Sequence, residues 1–204
     1  MPRIFKFKPF RFPSSNIAVF VVRCVGAILI PGLFLAALGI KLLAIDDPFL
    51  GSHLFRQLQT LSTIEAYQID GFDLLKPRTN YIGFPGHLLL EVPVFQGICA
   101  WLSQIFGNAL LTTRVFNIII SVVSAFFVFR VARFLVPASY AILAALLFLS
   151  APLNLMYHWS TLADPLAVLF SLISVFLYLS ERRKPRKNPV LLAVFTLAST
   201  LTLL

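Results

Sequence analysis

The chain has 204 residues, of which 59% are hydrophobic and 12% charged, with a mean hydropathy of +0.89. A soluble domain carries about 45–50% apolar and about 25% charged residues, so this composition excludes a water-exposed globule and reads as an integral membrane protein. Seventeen bases stand against eight acids, an excess that a membrane chain uses to set topology rather than to bind nucleic acid.

Cys24 and Cys99, the two cysteines, both lie in apolar runs and form no zinc or disulfide spacing. The segment 1–15 alternates bases with aromatics (Arg3, Phe5, Lys6, Phe7, Lys8, Phe10, Arg11, Phe12) and reads as a cytoplasmic N-terminal segment. Residues 16–44 are the first expected span, too long for a signal h-region and without a cleavage site. Arg23 and Lys41 lie toward its two ends, where their heads are expected to snorkel, and Pro31-Gly32 predicts a kink. A polar stretch, 46–87, follows with Asp46, Asp47, Glu65, Asp70 and Asp73; within it 55–67 reads as a short helix. A loop of that length without structure is unusual, so functional or interfacial helices are expected there.

Apolar runs then cover 88–106, 115–135, 138–156, 165–180 and 189–204. Arg130, Arg133 and the five bases between Arg182 and Lys187 are expected on the cytoplasmic side. Counting back from them, 115–135, 138–156 and 165–180 alternate in direction and the residue-115 end lies outside. The first span also delivers the chain outside, so 88–106 starts and ends on one side. Interrupted by Glu91, Pro93 and Gln96, it reads as an interfacial or re-entrant helix. The expected organisation is therefore an outer loop at 46–114, a cytoplasmic loop at 181–188, and a transmembrane domain over 16–204 that reads as the N-terminal part of a longer bundle, cut in its last span. The fold class is an all-α polytopic bundle with amphipathic juxtamembrane helices.

Sorting by side puts seven acids outside: Asp46, Asp47, Glu65, Asp70, Asp73, Glu91 and Asp164. Asp164 precedes Pro165 at the start of an apolar helix, which suits an N-cap, and an acid at membrane depth is also a functional candidate. The outward bases Arg56, Lys76, Arg78 and Arg114 oppose the topological trend; each either pairs with a loop acid or binds phosphate, which a guanidinium grips through two oxygens. His53, Arg56 and Gln57, at i, i+3 and i+4, share one helix face. His158, beside Trp159, reads as structural.

The segment Ser52-His53-Leu54-Phe55-Arg56-Gln57-Leu58-Gln59-Thr60 resembles a signature of polytopic bacterial glycosyltransferases of family 39, relatives of the protein mannosyltransferases and the lipid A aminoarabinose transferase, all with the GT-C fold. Asp70-Gly71-Phe72, Glu91-Val92-Pro93-Val94-Phe95-Gln96, Gly107-Asn108 with Arg114, and Asp164-Pro165-Leu166 continue the likeness. The resemblance implies an inverting transferase that moves a sugar from a polyprenyl-phosphate donor to a lipid, glycan or protein acceptor, in the cell (inner) membrane, with its site facing the periplasm or exterior. It implies an aspartate base just after the first span, here Asp47 or else Asp46. Relatives place an Asp directly before the motif His, where this chain has Gly51-Ser52. Sugar transfer needs that base, cations on the leaving phosphate, and an apolar groove for the prenyl chain. Arg56 and Arg78 are the phosphate candidates, with His53 and Gln57 beside the former. Asp164 or Glu91 would orient the acceptor or hold a divalent metal ion, and metal use is left open by the family. The competing readings are a transporter or flippase of a lipid-linked substrate, which predicts mid-membrane charges and an internal repeat, and a non-catalytic scaffold.

Overall fold

The computed structural model describes residues 31–43, 45, 53–73, 76–79, 86, 92–157 and 160–182, and positions 189, 190, 193, 194, 196 and 197 of the last apolar run. Asp46, Asp47, Glu91, His158, Arg23, the N-terminal bases and the bases at 183–187 lie outside these residues. The described elements are α1 (Pro31–Leu43), then α2 (Leu54–Asp70), α3 (Val94–Phe106), α4 (Ala109–Ala132), α5 (Ala138–Ser150), α6 (Pro152–Tyr157) and α7 (Asp164–Arg182). Apart from an isolated bridge at Arg78, every regular element among the described residues is helical, as the composition predicts.

Helix α4 is the hub: it packs on α5, on α7 and, at its start, on α3, while α2 lies along α3. Its faces are the reverse of a soluble helix. Thr113, Asn117, Ser121 and Ser124 are fully buried, whereas Val115, Ile119, Val123 and Phe126 are exposed. Small and polar side chains let membrane helices approach and hydrogen-bond, and lipid solvates the apolar side. At 24 and 19 residues, α4 and α7 are apolar and long enough to cross, about 36 and 28 Å at 1.5 Å per residue. Ile64 and Tyr67 of α2 with Phe95, Cys99 and Ala100 of α3 form one apolar cluster with Ile120 and Leu166. That cluster fastens α2 and α3 to the bundle. Ala37, Ala125 and Leu149 form a second, joining α1, α4 and α5.

Several boundaries differ from expectation. The helix read at 55–67 extends over Leu54–Asp70, ended by Gly71 at φ 85°. The run 115–135 begins its helix at Ala109, because Asn108 Oδ1 accepts the Leu111 amide at 3.0 Å and caps it. Helix α3 has 13 residues, about 20 Å, short of a 30 Å hydrocarbon core, and α5 has the same length. The run 138–156 is not one helix. It breaks at Ala151, extended at ψ 132°, and restarts at Pro152 as α6, since proline has no N–H to continue the ladder and pushes the preceding residue out of the helical region. Helix α7 starts at Asp164 itself. Finally, Lys41 does not snorkel. It is 2% exposed, and its ammonium turns inward to Asn154.

Candidate functional site

The N-terminal end of α2 faces the connection between α6 and α7. His53 is left-handed at φ 69° and stands at the N-cap, before the first turn of α2. Its Nε2 lies 3.3 Å from the Tyr157 hydroxyl. One turn on, Arg56 Nη1 stands 3.4 Å from Asp164 Oδ1. Gln57 is buried, and its carbonyl accepts from the Thr161 hydroxyl at 2.9 Å. The i, i+3, i+4 face therefore meets one short segment, 157–164, at three points.

That segment is held from below. Asn117, buried in α4, donates both amide protons to the carbonyls of Ser160 (2.8 Å) and Leu162 (3.1 Å). The Ser160 hydroxyl donates to Tyr157 O at 2.6 Å and accepts the Leu162 amide at 3.3 Å. These bonds satisfy the backbone carbonyls of a buried turn, which would otherwise lose their partners on leaving water.

Beside it lies a cavity of about 320 Å³ between the α5–α6 break and α7, lined among the described residues by Phe148, Ala151, Leu153, Asn154, Tyr157, Asp164, Pro165 and Val168. Asn154, Tyr157 and Asp164 are among its lining residues, but the surface it presents is apolar throughout. Asp164 lines the cavity and pairs through Oδ1 with Arg56, while its Oδ2 is buried with no hydrogen-bond partner among the described residues. An apolar slot with an acid–guanidinium pair at one of its lining residues suits a ligand with a hydrocarbon tail and an ionic head.

Arg78 belongs elsewhere. It pairs with Asp70 Oδ2 at 2.7 Å, at the far end of α2; the fourteen residues from Arg56 to Asp70 put about 21 Å of helix between the two guanidinium sites. Arg78, Asp70, Asp73, Lys76 and Tyr67 surround a separate hollow of about 420 Å³. There the Tyr67 hydroxyl donates to Asp73 O at 2.8 Å, and burial, with the Asp73 charge adding to it, pushes the phenol up to about 12. Arg114 is buried and donates to Ile45 O, tying the start of α4 to the stretch after α1. Among the described residues no three His, Cys, Asp or Glu side chains converge as metal ligands.

Asn117, Ser121, Asn154 and Tyr157 were absent from the sequence-derived site. The signal available for the two asparagines was an amide inside an apolar run, which at membrane depth asks for a specific partner.

The profile of the dolichyl-phosphate-mannose-protein mannosyltransferase family matches residues 91–203, more than half of the chain. The matched range holds α3 to α7, including Asp164 and the cavity; the His53–Thr60 segment lies outside it. No curated protein and no solved structure matches the chain. With its all-α bundle and this match, the chain belongs to the dolichyl-phosphate-mannose-protein mannosyltransferase family of GT-C-type membrane glycosyltransferases.

Proposed function

We propose that this chain carries the donor-binding part of a transferase that moves a sugar, with inversion, from a polyprenyl phosphate to a lipid, glycan or protein acceptor on the outer face of the cell membrane. The observation that carries the reading is an apolar cavity that Asp164 helps to line, with Arg56 3.4 Å from that carboxylate. The cavity takes the first isoprene units. The Arg56 guanidinium, with His53 beside it, takes the phosphate. A separation of 3.4 Å is looser than a tight charge-assisted bond of about 2.8 Å, so a phosphate competes for the guanidinium without breaking a strong pair.

In the reaction a carboxylate removes the proton of the acceptor hydroxyl. The acceptor oxygen bonds to the anomeric carbon as the bond from that carbon to the phosphate oxygen breaks. The electron pair leaves on the prenyl phosphate, whose growing charge Arg56 stabilises. Asp47, then Asp46, is assigned as base and Glu91 as an acceptor-side contact; Gln57 belongs with Arg56 on the donor side, and Arg78, paired with Asp70 at the far end of α2, does not hold this phosphate. Asp164 orients Arg56, and no step above passes through a metal ion.

The test supplies the intact protein, in lipid nanodiscs, with a radiolabelled polyprenyl-phosphate sugar and measures transfer. Changing both Asp46 and Asp47 to Asn should abolish transfer and leave donor binding intact. Transfer that survives the double change removes the base assignment.

A further inference from the structure

Lys41 is an ammonium inside an apolar bundle, 2% exposed. Among the described residues no carboxylate stands within ion-pair distance of it. A buried charge without a counter-charge is costly, and at membrane depth it marks a functional element rather than a packing one. Its two acceptors belong to one residue: Nζ donates to Asn154 O at 3.1 Å and to Asn154 Oδ1 at 2.8 Å. The same Oδ1 accepts from Ser121 of α4 at 3.0 Å. Asn154 is thus a node between α1, α4 and α6.

Helix α6 needs that node. It has six residues and follows a break at Ala151, and a helix so short does not hold itself. Gripping both the backbone and the side-chain oxygen of Asn154 fixes the height and the rotation of α6. Asn154 lines the cavity, and Tyr157, one turn later, lines it too and meets His53.

We propose that Lys41 is a positioning residue for the donor cavity: acting through the two oxygens of Asn154, it docks α6 so that Tyr157 reaches His53 and the wall opposite Asp164 is formed. This rests on reading the cavity as the donor's site.

The test is a double-mutant cycle in the intact protein in nanodiscs: K41M, N154L and the pair. Two readouts are taken, steady-state transfer from a polyprenyl-phosphate sugar and hydrogen exchange of the 153–157 amides. K41M should raise the KM for donor by about tenfold, the scale of one lost charge-assisted bond, with kcat changed far less. Exchange over 153–157 should speed up while α4 and α7 stay protected. In the N154L background, K41M should cost nothing more, or recover part of the loss, since it removes an ammonium that has lost its acceptors. A K41M protein with unchanged KM and exchange overturns the proposal. So does a K41M loss that adds in full to that of N154L, which would mean that Lys41 acts on the donor directly. If the unsubstituted protein transfers no sugar, the donor reading fails, and the exchange cycle still decides whether Lys41 docks α6.

Discussion

Replacing Arg56 by Gln should separate activity from stability. The Arg56–Asp164 pair stands at 3.4 Å with side chains 47% and 38% exposed. Half-exposed pairs of this kind contribute about 0–1 kcal/mol. For a chain of this size that is a shift in Tm of about 2–4 °C at most. On the proposed reading the same guanidinium would face a leaving phosphate where charge builds in the transition state, and deleting one such donor costs about 10²–10³ in rate. R56Q should therefore lower kcat about a hundredfold while the thermal midpoint barely moves. R56K should fall between, because an ammonium does not grip two phosphate oxygens at once. Single-turnover transfer from a labelled polyprenyl-phosphate sugar, run beside thermal unfolding in the same detergent, reads both. R56Q activity within threefold of the unsubstituted protein would refute the assignment, as would an activity loss matched by an equal loss of folded protein.

Three further outcomes follow from the packing. Asn117→Asp removes both protons that hold Ser160 and Leu162 and sets a carboxylate against two carbonyls; it should cost about 2–5 kcal/mol, and a thermal-shift assay showing an unchanged midpoint would contradict the role given to Asn117. Cys99 is fully buried, and burial pushes its thiol up to about 12 against a weaker opposing bond from Thr113. At pH 8 about 10⁻⁴ of it is thiolate, so in a C24A background maleimide should label Cys99 only after unfolding. In Gly97→Ala the new Cβ would fall 2.8 Å from Phe72 Cδ2 and 3.0 Å from Cζ, so the ring must swing away from Tyr67, its edge-to-face partner at 5.1 Å. The cost should be about 0.5–1.5 kcal/mol, and it should vanish in an F72A background.

The His53–Arg56–Gln57 face was legible because helical spacing is local, and so was Asp164, an acid before a proline at the head of an apolar run. What such spacing does not carry is distance between segments. Arg56 and Arg78 look equivalent as outward bases, yet each is claimed by a different acid, Asp164 and Asp70, at opposite ends of one helix. Lys41 near a span end reads as a snorkelling cation because its acceptor, Asn154, lies 113 residues further on. Asn117 is an amide in an apolar run until the carbonyls it serves, 43 and 45 residues away, come beneath it. Pro152 was visible in the sequence, but the length of the apolar run 138–156 outweighed it. The site depends on that break, because a continuous helix there would leave no groove.

The polarity of α4 explains why the site's supports are amides and hydroxyls. Lipid is as apolar as leucine, so burying Ile119 or Val123 gains little, and both are left facing outward. Hydrogen bonds and close approach must hold the bundle instead, and Thr113, Asn117, Ser121 and Ser124 supply them along one stripe. Asn117 carries the 160–162 turn, and Ser121 shares Asn154 with Lys41. The elements that bound the cavity are thus fixed by polar side chains in the interior. Apolar exchanges on the outer face, such as Ile119→Leu, should leave both fold and transfer unchanged. Ser121→Ala, which removes the hydroxyl without adding volume, should loosen Asn154 and weaken donor binding in the same assay that reads K41M. If Ser121→Ala is silent and Ile119→Leu is not, apolar burial rather than the polar stripe holds α6 in place.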